Sequence, residues 1–340
     1  MPNLCVIPGD GIGKEVIPAA VDLLKAVVPG LNLVMAEAGW ECFLRTGTSL
    51  PEATKELMRE CRAGIFGAVS SPAKKVEGYR STILQMRQSF DLYANIRPVW
   101  SLPRVSPRGD VDMIIFRENT EGLYSGIEYS DGEKAVAERV ITRRASRRLA
   151  ECAVRVSRQM HRKKITIVHK ANVLPITDGL FRDTVRTVLD EHQKNGLIEV
   201  EELLVDVAAM KMVSSPQDYD VIITTNLFGD ILSDAAAPWC GGLGLAPSIN
   251  LGDDMALAEP VHGSAPDIAG KGIANPIAAI LSSVLLLRYQ WNMMVEADRI
   301  EKAVIRTLEQ IPLETGGRLP AGMQTTQMVD IICKNIPKKV

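Results

Sequence analysis

Pro8-Gly9-Asp10-Gly11-Ile12-Gly13-Lys14-Glu15 joins a short apolar run, residues 3–7, to a helical pattern over 13–27, and its glycines decide how the chain is read. A strand passing through a tight turn into a helix is the opening unit of an α/β sheet. The dinucleotide fingerprint needs G-x-G-x-x-G, and the P-loop needs four residues between its first glycine and Gly-Lys-Ser/Thr. Here the spacing is G-x-G-x-G-K followed by glutamate, which fits neither. On its residues alone the segment is a tight strand-to-helix turn, with a phosphate cradle as the alternative. Outward from it, strand-like runs at 31–36, 63–69, 111–116, 164–168 and 220–225 alternate with helical patterns at 51–60, 142–160, 177–193 and 275–289. Such alternation predicts a substantially parallel sheet. Residues 112–129 and 135–142 read as strands of a second domain of mixed sheet and helix beginning near residue 98, and residues 323–335 as the last helix.

With 340 residues, 46% hydrophobic and 24% charged, the chain is long enough for a large core and for two domains or one elaborated α/β unit. A net charge of −2 and a pI near 6.2 give no electrostatic footprint for nucleic acid or acidic lipid. The six cysteines, Cys5, Cys42, Cys61, Cys152, Cys240 and Cys333, form no CxxC pair, and the four histidines, His161, His169, His192 and His262, are not near neighbours. This usage suits reduced thiols in a cytoplasmic protein and argues against zinc. No basic segment followed by a long apolar stretch opens the sequence, and no run approaches about 18 uninterrupted apolar residues, so neither export nor membrane insertion is expected. Arg143, Arg144, Arg147, Arg148 and Arg155 fall off the apolar face of the 142–160 pattern and read as a solvated face.

The chemistry concentrates in a few stretches. NLFGDILSD (226–234) sets Asp230 and Asp234 four apart on a predicted helix among uncharged neighbours. Like charges at that spacing repel by roughly 0.2–0.5 kcal/mol. A hard divalent cation such as Mg2+ or Mn2+ would reverse that sign, and two acids favouring a helix N-terminus are the plainer alternative. Arg87, Arg97 and Arg117 lie on three elements, the last two in strand-like apolar surroundings. Each could form a buried ion pair with Glu118, Glu121 or Asp91; converging beside a metal, the three would bind a small di- or tricarboxylate. Lys170, after an apolar strand, is either a snorkelling strand end or a base. The long glycine-rich loop from His262 to Pro276 can wrap a ligand with its backbone donors.

Taken together, GDGIGKEV (9–16), the two arginines of MRQSFDLYANIRP (86–98), RENTEGLY (117–124), HKANVL (169–174), NLFGDILSD (226–234), GGLGLAPS (241–248) and EPVHGSAPDIAGKGIANP (259–276) resemble the β-decarboxylating dehydrogenases of isocitrate, 3-isopropylmalate, homoisocitrate, tartrate and D-malate. The resemblance covers almost the whole chain. It implies an isopropylmalate dehydrogenase-like α/β fold with mixed sheets and no Rossmann motif, which accounts for the glycine spacing. It also implies a large cofactor-binding domain of residues 1–97 and 244–340, and a smaller domain, 98–243, whose clasp forms a homodimer, with pairing into tetramers left open.

Carried over by motif, Arg87, Arg97 and Arg117 hold the malate-like carboxylates. Asp206, Asp230 and Asp234 form the metal shell, with Asp206 and Lys170 reaching across the dimer. Lys170, aided by Asp206, takes the proton of the C2 hydroxyl, and Tyr124 returns one to C3 after CO2 leaves. His262, Gly263, Ala265, Asp267, Ile268 and Asn275 frame the adenosine, Asn172 and Glu259 approach the nicotinamide, and Ile12 packs nearby. Asp267 can accept from ribose hydroxyls and would repel a 2′-phosphate, so NAD is expected over NADP.

The segment 75–86 meets the substituent that distinguishes the substrates. Arg80 and Ser81 favour a distal carboxylate over an isopropyl group, while Ile83, where isocitrate enzymes carry asparagine, and Leu84 leave an apolar wall for an extra methylene. SSPAKKVEGYRS (70–81) is most similar to homoisocitrate dehydrogenases of lysine or coenzyme B biosynthesis. Homoisocitrate is therefore the first expected substrate, isocitrate the second and isopropylmalate the third. A non-catalytic regulatory subunit is the alternative of another class, but Tyr124, Lys170, Asp206, Asp230 and Asp234 are all present. Residues 314–322 depart from the family's TPDLGG-like turn and are expected to form a surface turn.

Overall fold

The computed structural model describes residues 1–74 and 76–338; Lys75, in the substrate-distinguishing segment, lies outside them. In chain order the elements are β1 (Asn3–Gly9), α1 (Gly13–Val27), β2 (Asn32–Met35), α2 (Trp40–Thr46), α3 (Glu52–Cys61), β3 (Ala63–Ala68), α4 (Thr82–Ser89), β4 (Ala94–Trp100), β5 (Asp112–Glu118), β6 (Glu128–Ser130), β7 (Ala135–Ala137) and α5 (Arg143–Gln159). They continue with β8 (Lys164–His169), α6 (Thr177–Lys194), β9 (Glu199–Leu204), α7 (Val205–Ser214), β10 (Val221–Thr224), α8 (Asn226–Ala236), β11 (Pro247–Leu251), β12 (Ala256–Pro260), α9 (Ile277–Tyr289), α10 (Met294–Gln310) and α11 (Thr325–Lys334).

Two compact units result, one from Met1–Leu92, Ser101–Gly109 and everything from Ala237 onward, the other from Tyr93–Trp100 and Asp110–Ala236. The first crossing falls between Leu92 and Tyr93 instead of after residue 97, because 94–100 is a strand that pairs along its whole length with β5. The last falls before Ala237 instead of after 243.

The first unit has strand order β2-β1-β3-β12-β11, parallel except for β11. Its inner strands are apolar on both faces, as Ala63–Ala68 is throughout, because helices cover both sides. On one side lies α9, whose residues Ile277 to Leu287 are all buried; a helix apolar all round belongs inside. On the other side Cys5, Ile7, Phe66, Met86, Phe90 and Leu92 pack into a cluster. The β1–α1 turn needs its glycines for space: a Cβ on Gly9 would meet the Ala68 carbonyl oxygen at 2.1 Å.

The second unit has order β4-β5-β10-β8-β9, parallel except for β4, with β6 and β7 forming a separate antiparallel ribbon. Asn95 stands opposite Arg117 in the β4–β5 register, which puts Arg97 and Arg117 on one face of neighbouring strands. The strand expected over 112–129 ends at Glu118. There the Glu118 carboxylate accepts from the Thr120 N–H and hydroxyl and from the Glu121 N–H, and turns the chain. The second expected strand, 135–142, stops at Ala137, and Thr142 caps α5 by accepting from the Ala145 N–H at 3.1 Å. On α5 the expected solvated arginine face fails at Arg148, which donates to Thr120 and stacks over Tyr93 at 4.4 Å. Among the described residues no helix is long and apolar enough to cross a membrane.

Candidate functional site

On α8, Asn226, Asp230 and Asp234 recur every four residues and share one face. No acid falls in the first turn, so helix-dipole stabilisation does not explain the aspartates. Arg117 is 1% exposed and turns onto this face. Its Nε and Nη2 donate to Asn226 Oδ1 at 3.0 and 2.8 Å, and its Nη1 pairs with Asp230. Helix and strand are in close contact here: a Cβ on Gly229 would meet Arg117 Cβ and Cγ at 2.7 Å. Arg97 donates from Nε to Asn95 at 2.7 Å and from Nη1 to Ser233 at 2.7 Å and Asp234 at 3.1 Å, while its Nη2 lies 3.5 Å from Asp230. The Tyr124 hydroxyl donates to the other oxygen of Asp230, and its ring lies under the Arg117 guanidinium at 5.0 Å. Tyr124 sits in a single helical turn flanked by Gly122 and Gly126, both at positive φ. Two guanidinium groups, two carboxylates and a phenol thus meet at one helix face. Partial burial holds the Asp234 carboxyl above the ordinary carboxylate range, Arg97 pulling it down and Asp230 pushing it up.

Arg97 and Arg117 thus pair with Asp230 and Asp234, acids the sequence reading did not assign to them as ion-pair partners. Asn95, Asn226 and Ser233, which orient them, went unread in the sequence, although Asn226 precedes Asp230 by one helical turn. Lys170 lies just past the end of β8, and its Nζ is 2.5 Å from Asp206 Oδ1 in the first turn of α7. That bond holds the Asp206 carboxyl below its usual range. Asp206 does not join the other two aspartates within the chain: among the described residues no three His, Cys, Asp or Glu are grouped to hold a metal ion. The all-oxygen pair Asp230 and Asp234, both solvent-accessible, suits a hard divalent cation that completes its shell from elsewhere.

In the first unit, buried Arg87 pairs with Glu259 at 3.0 Å, and Asn250 donates to the same Glu259 oxygen at 2.9 Å. The loop 262–276 is pinned to the β1–α1 turn: the Ile12 N–H donates to the Ser264 carbonyl at 3.0 Å and the Gly270 N–H to Glu15 at 2.6 Å. Ala265, at φ 39°, turns the loop so that Asp267 stands exposed. Burial lowers the His262 pKa, and its Nε2 is buried with no hydrogen-bond partner among the described residues. Asn275 is committed at both ends, to the Gly317 carbonyl at 2.6 Å and the Ile277 N–H at 3.0 Å. The turn expected to be superficial thus buries Gly317 and Leu319 and braces this loop. Ser81 is the N-cap of α4 and Arg80 is exposed beside it, whereas Gly263 and Asn172 are exposed in loops. Ile83 packs partly onto the cluster of Met86 and Phe90, and Leu84 beside it is half-buried. A cavity of about 850 Å³ beside Asp10, Lys14 and Cys42 is lined by none of the expected site residues.

Residues 3–332 match the isocitrate/isopropylmalate dehydrogenase family. The chain belongs to this family. An isocitrate/homoisocitrate dehydrogenase of Thermus thermophilus is 52% identical over 310 residues, 91% of this chain and 92% of that protein. A 3-isopropylmalate dehydrogenase of Methanothermobacter thermautotrophicus is 49% identical over 320 residues, 93% and 94% of the two chains. The crystal structure of isocitrate dehydrogenase from Methylococcus capsulatus is similar with a TM-score of 0.92 and 41% identity over 99% of both chains. The protein is a β-decarboxylating dehydrogenase: an enzyme of the nicotinamide-dependent oxidative decarboxylation of a 2-hydroxy acid, on that family's α/β fold.

Proposed function

We propose that this dehydrogenase converts homoisocitrate to 2-oxoadipate and CO2 while reducing NAD, with isocitrate second and 3-isopropylmalate third in preference. The observation that carries the choice is the start of α4. Ser81 occupies the N-cap but its hydroxyl makes no capping bond, and Arg80 stands exposed next to it. A spare hydroxyl, a cation and the positive end of a helix favour an anion over a branched alkyl group. Leu84, half-buried in the next turn, offers the extra methylene of homoisocitrate an apolar contact. One methylene discriminates by only about 1–3 kcal/mol, so isocitrate is also turned over.

Arg87, Arg97 and Arg117 hold the carboxylates shared by all three acids. When bound, a divalent cation on Asp230, Asp234 and Asp206 of a second subunit would acidify the C2 hydroxyl and stabilise the charge left by CO2. Lys170 accepts the hydroxyl proton with Asp206 beside it; a bound nicotinamide would supply the acceptor for the hydride of C2. The C3 carboxylate departs as CO2, and Tyr124 delivers a proton to C3. Ile12, Asn172, Glu259, His262, Gly263, Ala265, Asp267, Ile268 and Asn275 line the NAD site, with Asn275 acting through the loop it braces. The exposed Asp267 carboxylate favours ribose hydroxyls over a 2′-phosphate.

The working unit is a homodimer. Support comes from exposed apolar side chains on the ribbon and on α7 and α8, namely Ile127, Tyr129, Met210, Val213 and Ile231. The test compares kcat/KM for NADH formation on the three acids with Mg2+ present. Homoisocitrate or isocitrate leading, with isopropylmalate nearly inert, supports the α4 argument; isopropylmalate leading overturns it. No turnover of any acid by the purified chain would favour a regulatory subunit.

A further inference from the structure

We propose that Asp178 and Arg139 are positioning residues for Lys170, locking its segment to the helix that bears Asp230 and Asp234. The inference rests on Lys170 being the base. Asp178, in the first turn of α6, is 0% exposed. Its Oδ2 accepts the backbone N–H of Lys170 at 2.6 Å, and its Oδ1 lies 2.6 Å from Arg139 Nη2. The Lys170 carbonyl is fixed as well, accepting from the Leu174 N–H, while the Leu174 carbonyl accepts from Asp178. Lys170 is thus held on both sides of its backbone by one short circuit of the chain.

Arg139 extends the circuit. Its Nη2 also donates to Thr225 Oγ1 at 2.9 Å, and its guanidinium lies over the Phe228 ring at 4.7 Å. Thr225 immediately precedes α8, and its carbonyl accepts the Gly229 N–H. One partly buried guanidinium therefore joins the base-bearing segment to the first turn of the acid-bearing helix. A carboxylate buried this fully persists only with its charge matched, as Arg139 matches it here, and the bond to its Oδ2 fixes the backbone of Lys170. The pair requires a planar, stacking cation, which lysine at 139 would not reproduce.

The test compares D178N, R139K, the charge-free double variant D178N/R139Q and K170A in kcat, KM and thermal unfolding, with whichever acid turns over faster. A positioning role predicts that D178N and the double variant lose between about 10- and 100-fold in kcat with KM little changed, since small misplacements of a base act on the chemical step. R139K should fall between these and the parent. The double variant removes both charges of the pair and should recover any thermal stability that D178N loses, without recovering kcat. Parent-like kcat in the double variant, or kcat rising with stability across the series, overturns the proposal. A K170A variant with parent-like kcat instead overturns the assignment of the base.

Discussion

Arg97 and Arg117 are saturated by Asp230, Asp234, Asn226 and Ser233 in the chain itself. Each charge a ligand would use is thus matched by another that a second ligand would use. A substrate taking the arginines frees the aspartates for a cation, and a cation taking the aspartates frees the arginines. Titration calorimetry with homoisocitrate or isocitrate should show binding at least about tenfold tighter with Mg2+ than without, and Asp234→Asn should weaken this coupling. A second titratable group, Glu121, acts on stability. Burial, assisted by Glu118 against two bonds from Thr142, pushes its pKa up to about 7. An unfolded glutamate titrates near 4.3. The native chain therefore keeps a proton that the unfolded chain has released between those values, so this contribution is full below about pH 4.3 and is lost as pH rises to 7. Glu121→Gln should flatten that part of the urea-stability profile between pH 5 and 7.5, by an amount on the order of 2–3 kcal/mol. The partners of these groups were illegible locally for a simple reason: Asp230 lies more than a hundred positions from Arg117, and only the strand register brings them together.

Elements with a clean period were legible: α1, α5, α6 and α9 and strands β1, β3 and β8 begin and end within two residues of the sequence expectation. Those missed lack the pattern for identifiable reasons. The acidic run of β9, Glu-Val-Glu-Glu-Leu-Leu, reads as helix, and β11 and β12 contain Pro247, Ser248, Asn250, Glu259 and Pro260, poor strand formers kept in place by burial on both faces. Helix α4 is short and weakly amphipathic, so its period gives little signal, and its buried Arg87 pairs with Glu259. The contact of α8 with β5 supplies a test at this scale. Gly229→Ala inserts a methyl group against Arg117 and should cost about 1–3 kcal/mol by urea unfolding, with a loss of substrate affinity as Arg117 shifts.

For the whole molecule, the exposed apolar residues of α7, α8 and the ribbon link assembly to turnover. Ile231→Glu places a charge on that face beside Asp230 and one turn from Asp234, and Tyr129→Glu places one on the ribbon, off α8. On the proposed dimer each should give monomers in sedimentation velocity and little activity, because Lys170 and Asp206 would no longer reach a second active site. A dimeric, active I231E protein would sink that view.

The threading of the chain carries its own consequence during synthesis on the ribosome. When residues through Ala236 have emerged, all five strands of the second unit exist, but β3 still waits for β12, and α1 for α9. The inner unit can thus reach its final form while the outer one is still half made, with the apolar edge of β3 unpaired. Stalled nascent chains with residues up to about 245 outside the ribosomal exit tunnel should resist proteolysis in the 110–236 region and be cleaved within 1–92. Chaperone demand should accordingly track the delay before β12 rather than the folding of the inner unit.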